Sequence, residues 1–578
     1  MSGCRAERLC LSGLSAVLLL TLQVAAAGAQ TGAPTPLFPA QPDESTPPPQ
    51  ASPGVVPPAS SATKPTAGSI EATPLEEIVN DAIGPLEGPD SLGQDLWRGT
   101  SRSLAEALIP QIPSAGSPAA RGLARRLLLT SARPPEGSGS ADLILLRADR
   151  LLGLGYAGDA AELRSLAPVG RMDAIRAGQL ADALLLAGRI NHACALIDQN
   201  AAFAADPAGE RLSVLCALHI GDRDRAYFLF DLMREQDSAD PTLGAAIAIA
   251  DGATDRSLPE DARPTPFLLA MLAEGKAAPP DRWLGSAEPA YLPALLALPV
   301  ASETRVAAAE RAARLALLDP AVLAAAYQGL KIETKEREAA AASPRPETPR
   351  RRVALHQAVQ QTADPIARAR LVRQALEFSR ADPLLAATAR LHAPFLRALA
   401  PVQELAGSAP TFARALFLAG DPEAARRWVA LARANAADPG IAARLPGLAL
   451  LSALAGETLP AWNQVARTFL ERPAPTPEGA RLAAVARLLP LDAGAVQPGA
   501  APPAGGFFDP GLGLALRNAA AARRVGETVL FALIAIGDGG PASTDAGALA
   551  EALTALRRIG LEAEVRDLAI EAAIANGA

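Results

Sequence analysis

The sequence predicts an all-α protein, an α-α superhelix that follows a signal peptide and a Pro/Ala-rich linker. Three observations predict it. Hydrophobic residues make up 49% of the chain and aromatics only 4%, so alanine and leucine carry much of the apolar count and sheet-forming runs are scarce. From about Pro74 onward, apolar positions recur three and four apart, as in Ser103-Leu104-Ala105-Glu106-Ala107-Leu108-Ile109. A glycine-centred turn phrase also returns at a fixed period. With 578 residues the chain exceeds the roughly 250–300 at which single cores stop growing. Repeat arrays escape that limit because each unit packs on its neighbours.

In chain order, residues 1–29 read as a signal peptide. Arg5 and Arg8 precede an apolar stretch from Leu9 to Ala27, and Ala27-Gly28-Ala29 is a small-x-small exit. The alternative is an uncleaved anchor, since the stretch approaches bilayer-spanning length. Residues 30–74 are rich in Pro, Ala, Ser and Thr, including Pro47-Pro48-Pro49, and have too little apolar surface to form a core. Helical repeats are expected over 75–330 and 352–490. A charged, Pro-rich hinge at 331–351 separates them. A Pro/Gly-rich loop at 491–511 contains Phe507-Phe508, and a helical cap at 512–578 ends the chain. Asp206-Pro207, Asp240-Pro241, Asp319-Pro320, Asp382-Pro383 and Asp438-Pro439 read as helix starts, with Asp as the cap and Pro at the first helical position.

The repeat is the most informative feature. Gly155, Gly188 and Gly221 are spaced by 33 residues each time, and each is followed five positions later by an alanine, Ala160, Ala193 and Ala226. The phrase returns at Gly420 with Ala425, at Gly560 with Val565, and more weakly at Gly456 with Ala461. Glycine supplies the left-handed backbone that ends a helix. The alanine lets two antiparallel helices cross closely. Gly221-Asp222-Arg223-Asp224-Arg225-Ala226 and Gly420-Asp421-Pro422-Glu423-Ala424-Ala425 resemble the Gly-Asp-x-x-x-Ala turn of the tetratricopeptide-repeat family, most clearly over 142–241 and 411–470. The resemblance implies stacked helix pairs with a concave binding face. The family's first-helix aromatics are mostly missing, so its peptide-clamping residues do not transfer.

Candidate chemistry is sparse. Gly153-Leu154-Gly155-Tyr156-Ala157-Gly158 matches the dinucleotide-binding string, but the segment before it reads as helix and the same glycines belong to the repeat. His192, His219, His356 and His392 have no zinc-motif spacing. No G-x-S-x-G string occurs. The Glu-Ser pair a lysozyme-like glycosidase needs occurs only at Glu44-Ser45, in the linker. Arg345, Arg350, Arg351 and Arg352 form a basic cluster that reads as a solvated face or an anion contact. Cys194 and Cys216 fall on helices expected to be neighbours, and two readings stand: a disulfide, or two buried thiols.

The net charge of −7 is spread along the chain, without the basic domain a nucleic-acid partner requires. The sequence therefore leads to an expectation of a non-enzymatic, exported, periplasmic scaffold or adaptor. It would have no catalytic residues, metal or cofactor, and its partner would be a protein or peptide. Should the signal stay uncut, the protein is tethered to the inner membrane, facing the periplasm. The alternative is an envelope enzyme or transport-linked accessory factor with its site in the C-terminal block.

Overall fold

The computed structural model describes residues 84–578, apart from 115, 168–171, 237–240, 301, 343–347, 381, 458–468, 470–475 and 490–508. The signal segment, the linker, Asp240, Arg345, Ala461 and the Phe507-Phe508 loop lie outside the described residues. Those residues are all-α, with only two isolated β-bridges, Leu86 with Thr130 and Ser101 with Glu136.

Capping residues set the helix starts. Ser101 opens α1 (Arg102–Leu108), accepting from the Leu104 amide at 3.3 Å. Ser117 opens α2 (Pro118–Leu129), accepting from Ala120 at 3.0 Å. Each such bond satisfies an amide that the first helical turn leaves orphaned.

The repeat region holds α3 (Leu143–Gly153), α4 (Ala157–Ser165), α5 (Ala174–Leu186), α6 (Ile190–Gln199), α7 (Ala201–Ala204), α8 (Pro207–His219), α9 (Arg223–Glu235) and α10 (Pro241–Ala250). Gly155, Gly188 and Gly221 end α3, α5 and α8 with φ of +85°, +70° and +82°. At Gly188 the glycine amide bonds back to Leu185 O at 3.0 Å and the next amide to Leu184 O at 2.8 Å. This pairing satisfies the last carbonyls of the helix. Ala160, Ala193, Ala226 and Ala425 are all fully buried, so the helix after each turn presses its methyl-sized position into its partner. The pairs stack as α3 on α4, α4 on α5, α5 on α6, α6 on α8 and α8 on α9.

Next come α11 (Pro266–Glu274), α12 (Asp281–Ser286), α13 (Leu292–Ala297), α14 (Ser302–Arg314), α15 (Pro320–Gly329) and α16 (Thr334–Ala342). Then follow α17 (Pro349–Gln361), α18 (Pro365–Phe378), α19 (Leu384–Ala398), α20 (Ala409–Leu418), α21 (Pro422–Ala434), α22 (Pro439–Ala442), α23 (Leu445–Leu454) and α24 (Pro477–Ala486). Within the expected hinge at 331–351, α16 occupies Thr334–Ala342 and α17 starts at Pro349. Asp206, Asp319 and Asp438 accept from the second helical amide of α8, α15 and α22 at 2.9, 2.8 and 2.7 Å.

The last block is α25 (Pro510–Ala521), α26 (Val525–Ile536), α27 (Ala546–Arg558) and α28 (Glu562–Ala575). It does not sit at a free end. Both α26 and α28 pack on α2, and α28 also packs on α20 and α23. The helix contacts therefore form a closed circuit, running α2–α3–α4–α5–α11–α13–α14–α19–α20–α28 and back to α2. Arg126 of α2 pairs with Glu564 of α28, and the Gly526 amide donates to Leu96 O at 2.8 Å. A side chain at Gly526 would collide with the Trp97 ring, since its Cβ would lie 2.6 Å from Trp97 Cε3.

Candidate binding groove

A cavity of about 920 Å³ opens where two repeat turns face α11 and α13. The turns at Gly155 and Gly188 form one wall, with Tyr156, Asp159, Leu185, Leu186 and Ile190. The other wall is Leu269, Ala270 and Ala273 of α11 with Pro293, Ala294 and Ala297 of α13. Its volume sits at the upper end of the roughly 300–1,000 Å³ typical of ligand sites.

Four cations line the groove: Arg125, Arg189, Lys276 and Arg305. Arg125 is committed to Asp159, with one bond at 2.8 Å, and lies 5.8 Å from the Tyr156 ring centre. Arg121 approaches the same ring at 5.1 Å and donates to Leu154 O. These contacts fix Tyr156 at the turn. Arg305 donates to Leu298 O at 3.2 Å. Arg189 and Lys276 are exposed and form no ion pair among the described residues. The groove thus combines an apolar lining with uncompensated positive charge.

Lys276 stands out by its backbone. Its φ is +51°, and its amide and that of Ala277 make the same pair of bonds as at the glycine turns, to Ala273 O at 3.1 Å and Leu272 O at 2.8 Å. A non-glycine residue in this conformation costs roughly 1–2 kcal/mol. Ala316 and Arg523 share the geometry, with φ of +53° each. Beside the groove, His219 bridges Glu274 at 2.9 Å and Asn191 at 3.0 Å, tying α8 to α11 and α6. His192 is exposed, on the first turn of α6.

Cys194 of α6 and Cys216 of α8 are joined as a disulfide, with Cα atoms 5.7 Å apart. The dinucleotide-like string spans the α3–α4 turn, with a helix rather than a strand before it. Gly420 ends α20 with φ of +78°, and Gly560 ends α27 with φ of +90°, both away from the groove. Among the described residues, no three His, Cys, Asp or Glu side chains are placed to hold a metal ion.

Of the basic cluster, Arg345 lies outside the described residues, while Arg350 and Arg352 are paired with carboxylates. Arg350 pairs with Glu303 at 2.8 Å and Glu336 at 3.1 Å. Arg352 donates to the buried Glu310, which also accepts from Tyr327 Oη at 3.0 Å. Arg314 bridges Glu310 to Asp382, meeting the latter at 2.9 and 3.1 Å. This network, centred on the buried Glu310, ties α14, α15 and α17 to Asp382, just before α19. Next to it the His356 ring lies between Tyr327 and His392, tilted to both, with centres 5.3 and 6.0 Å away. Burial, with Arg368 nearby, holds His356 down at about 4; burial, with His356 and Arg368, holds His392 at about 3.

A second cavity, about 280 Å³, lies between α2, α20 and α28 and carries Glu571, Asp567 and Arg390. Burial pushes the Glu571 carboxyl up to about 7, against the pull of its hydrogen bonds from Ser117 and the Ala119 amide. Glu571 thereby caps the amino terminus of α2 from across the circuit. Comparison with protein-family models, curated proteins and solved structures finds no match for the chain.

Proposed function

We propose that this chain is an exported, tetratricopeptide-like helical scaffold or adaptor that binds a protein or peptide partner in the cell envelope, in the groove between the Gly155 and Gly188 turns and α11. The observation that carries the reading is the groove: an apolar trough of about 920 Å³ with Arg189 and Lys276 free at its edge. An extended segment with apolar side chains and a carboxylate fits that chemistry. Apolar contacts supply affinity, and the cations set register and association rate. Export rests on the Arg5, Arg8 and Ala27-Gly28-Ala29 pattern and agrees with the Cys194–Cys216 disulfide, since such bonds persist in oxidising compartments. Charge reversal at Arg189 and Lys276 tests the reading. The double variant should lose the captured partner while keeping the wild-type circular dichroism and melting profile. A partner retained at wild-type yield refutes the groove.

A second reading, an enzymatic site in the C-terminal block, draws on the raised carboxyl of Glu571 and its neighbour Asp567. The capping bonds from Ser117 and Ala119 already give Glu571 a structural task. Under the binding reading Glu571→Gln leaves partner capture intact.

A further inference from the structure

A third cavity, about 360 Å³, lies where the end of α18 meets α20 and the start of α23. Four guanidinium-bearing residues line it: Arg373, Arg380, Arg414 and Arg444. The only carboxylate in the lining, Glu377, is taken by Arg373 at 3.0 and 3.2 Å. Arg380, Arg414 and Arg444 form no ion pair among the described residues, and the Arg414 Nε is buried with no hydrogen-bond acceptor. Desolvation, with Arg380 and Arg444 alongside, brings the Arg414 guanidinium down to about 10. Arg444 is the residue before α23, whose amino terminus carries no side-chain cap. Its positive helix end therefore adds to the same field. Among the described residues, the half-buried Arg352 finds Glu310 and the buried Arg147 donates to Leu128 O at 2.7 Å.

Arg414 and Arg444 are half-buried and Arg380 is exposed, and three cations facing one cavity repel one another until an anion completes them. We propose that this cavity binds a small, multiply charged oxyanion of the phosphate class, held by Arg380, Arg414 and Arg444. Guanidinium forks match the geometry of such oxygens. The volume exceeds that of a bare oxyanion, and Leu376, Leu385 and Leu418 line the rest, so a phosphate monoester with a small organic group fills it better than inorganic phosphate. The site is separate from the groove and stands whether or not the groove binds a partner.

Titration calorimetry and thermal melting of the full chain test it, with inorganic phosphate, glycerol phosphate and, at matched ionic strength, chloride as probes. Saturable binding and a raised melting temperature are expected with both phosphates, the monoester tighter, and neither with chloride. Removing one guanidinium, in Arg414→Met or Arg444→Gln, should weaken phosphate binding by roughly tenfold or more. Without ligand, Arg414→Met should melt no lower than wild type, because a repelled, unpartnered charge is gone. Were Arg414 merely structural, that variant would melt lower and keep its phosphate response. The proposal is overturned by that outcome, by no binding at millimolar phosphate, or by equal responses to phosphate and chloride. If one variant does not fold, the other carries the test.

Discussion

At the residue scale, two groups behave against their type. Lys276 occupies the left-handed turn position that glycine fills at Gly155, Gly188 and Gly221. Its side chain reaches the groove, so the strain is retained where a cation is useful. Lys276→Gly should raise stability by about 0.5–1 kcal/mol in chemical denaturation and weaken partner binding. Ala316→Gly, which relieves the same φ of +53° outside the groove, should raise stability similarly and leave binding unchanged. The second group is the buried histidine pair. Their folded-state values, about 4 and about 3, lie below the ordinary 6.5, so on acidification the unfolded chain takes up protons first. The pair's contribution is then intact above pH 6.5 and is lost between 6.5 and about 4, His356 alone accounting for about 3 kcal/mol, while the raised carboxyl of Glu571 works in the opposite sense over the same range. Denaturant midpoints of His356→Leu/His392→Leu should therefore rise relative to wild type as pH falls through this range, the difference between the two proteins isolating the histidines.

At the element scale, the turns are where sequence and structure correspond most directly. The Gly-x4-Ala phrase was legible because its causes are local: a left-handed residue to stop one helix and a small one to seat the next. The Asp-Pro starts at Asp206, Asp319 and Asp438 were legible for the same reason, whereas at Asp382-Pro383 the helix begins one residue later, at Leu384, with Asp382 accepting from the Leu384 amide at 2.9 Å. The turns at Lys276, Ala316 and Arg523 were not, because no glycine marks them. The three glycines of the repeat also differ in a way spacing does not reveal. A Cβ on Gly155 would meet Leu317 Cδ2 at 2.5 Å and Pro289 O at 3.2 Å, whereas Gly188 and Gly221 face open space. Gly188→Ala should therefore cost about 1 kcal/mol from backbone strain, and Gly155→Ala distinctly more, as read by urea midpoints. The disulfide bridges α6 and α8 over a sequence separation of 22. Reducing it, or Cys194→Ser/Cys216→Ser, should lower stability by about 3 kcal/mol in the loop-entropy account.

At the scale of the whole molecule, the chain closes on itself. Packing of α26 and α28 on α2, the Arg126–Glu564 pair and the Glu571 cap join residues more than four hundred positions apart. No local periodicity carries that information, which is why the last block read as a cap. The groove was legible only in half, through the Gly155 and Gly188 turns; its other wall, α11 and α13, departs from the repeat phrase. The arginine cavity was not legible, since Arg380, Arg414 and Arg444 come together only through the packing of α18, α20 and α23. Closure also has a functional consequence. An open stack offers a face that can extend and bend, whereas in this circuit α11 packs on α13, α13 on α14 and α14 on α19. The groove is accordingly held preformed, which lowers the ordering cost of binding.

Site-specific photo-cross-linking tests the central claim most directly. A photoreactive residue is placed at Ala273, on the exposed wall of the groove, or at Arg426, on the exposed face of α21, and each protein is irradiated in an envelope extract. The account predicts one discrete adduct from position 273, absent from 426 and lost on charge reversal at Arg189 and Lys276. No adduct at 273, or the same adducts from both positions, contradicts it.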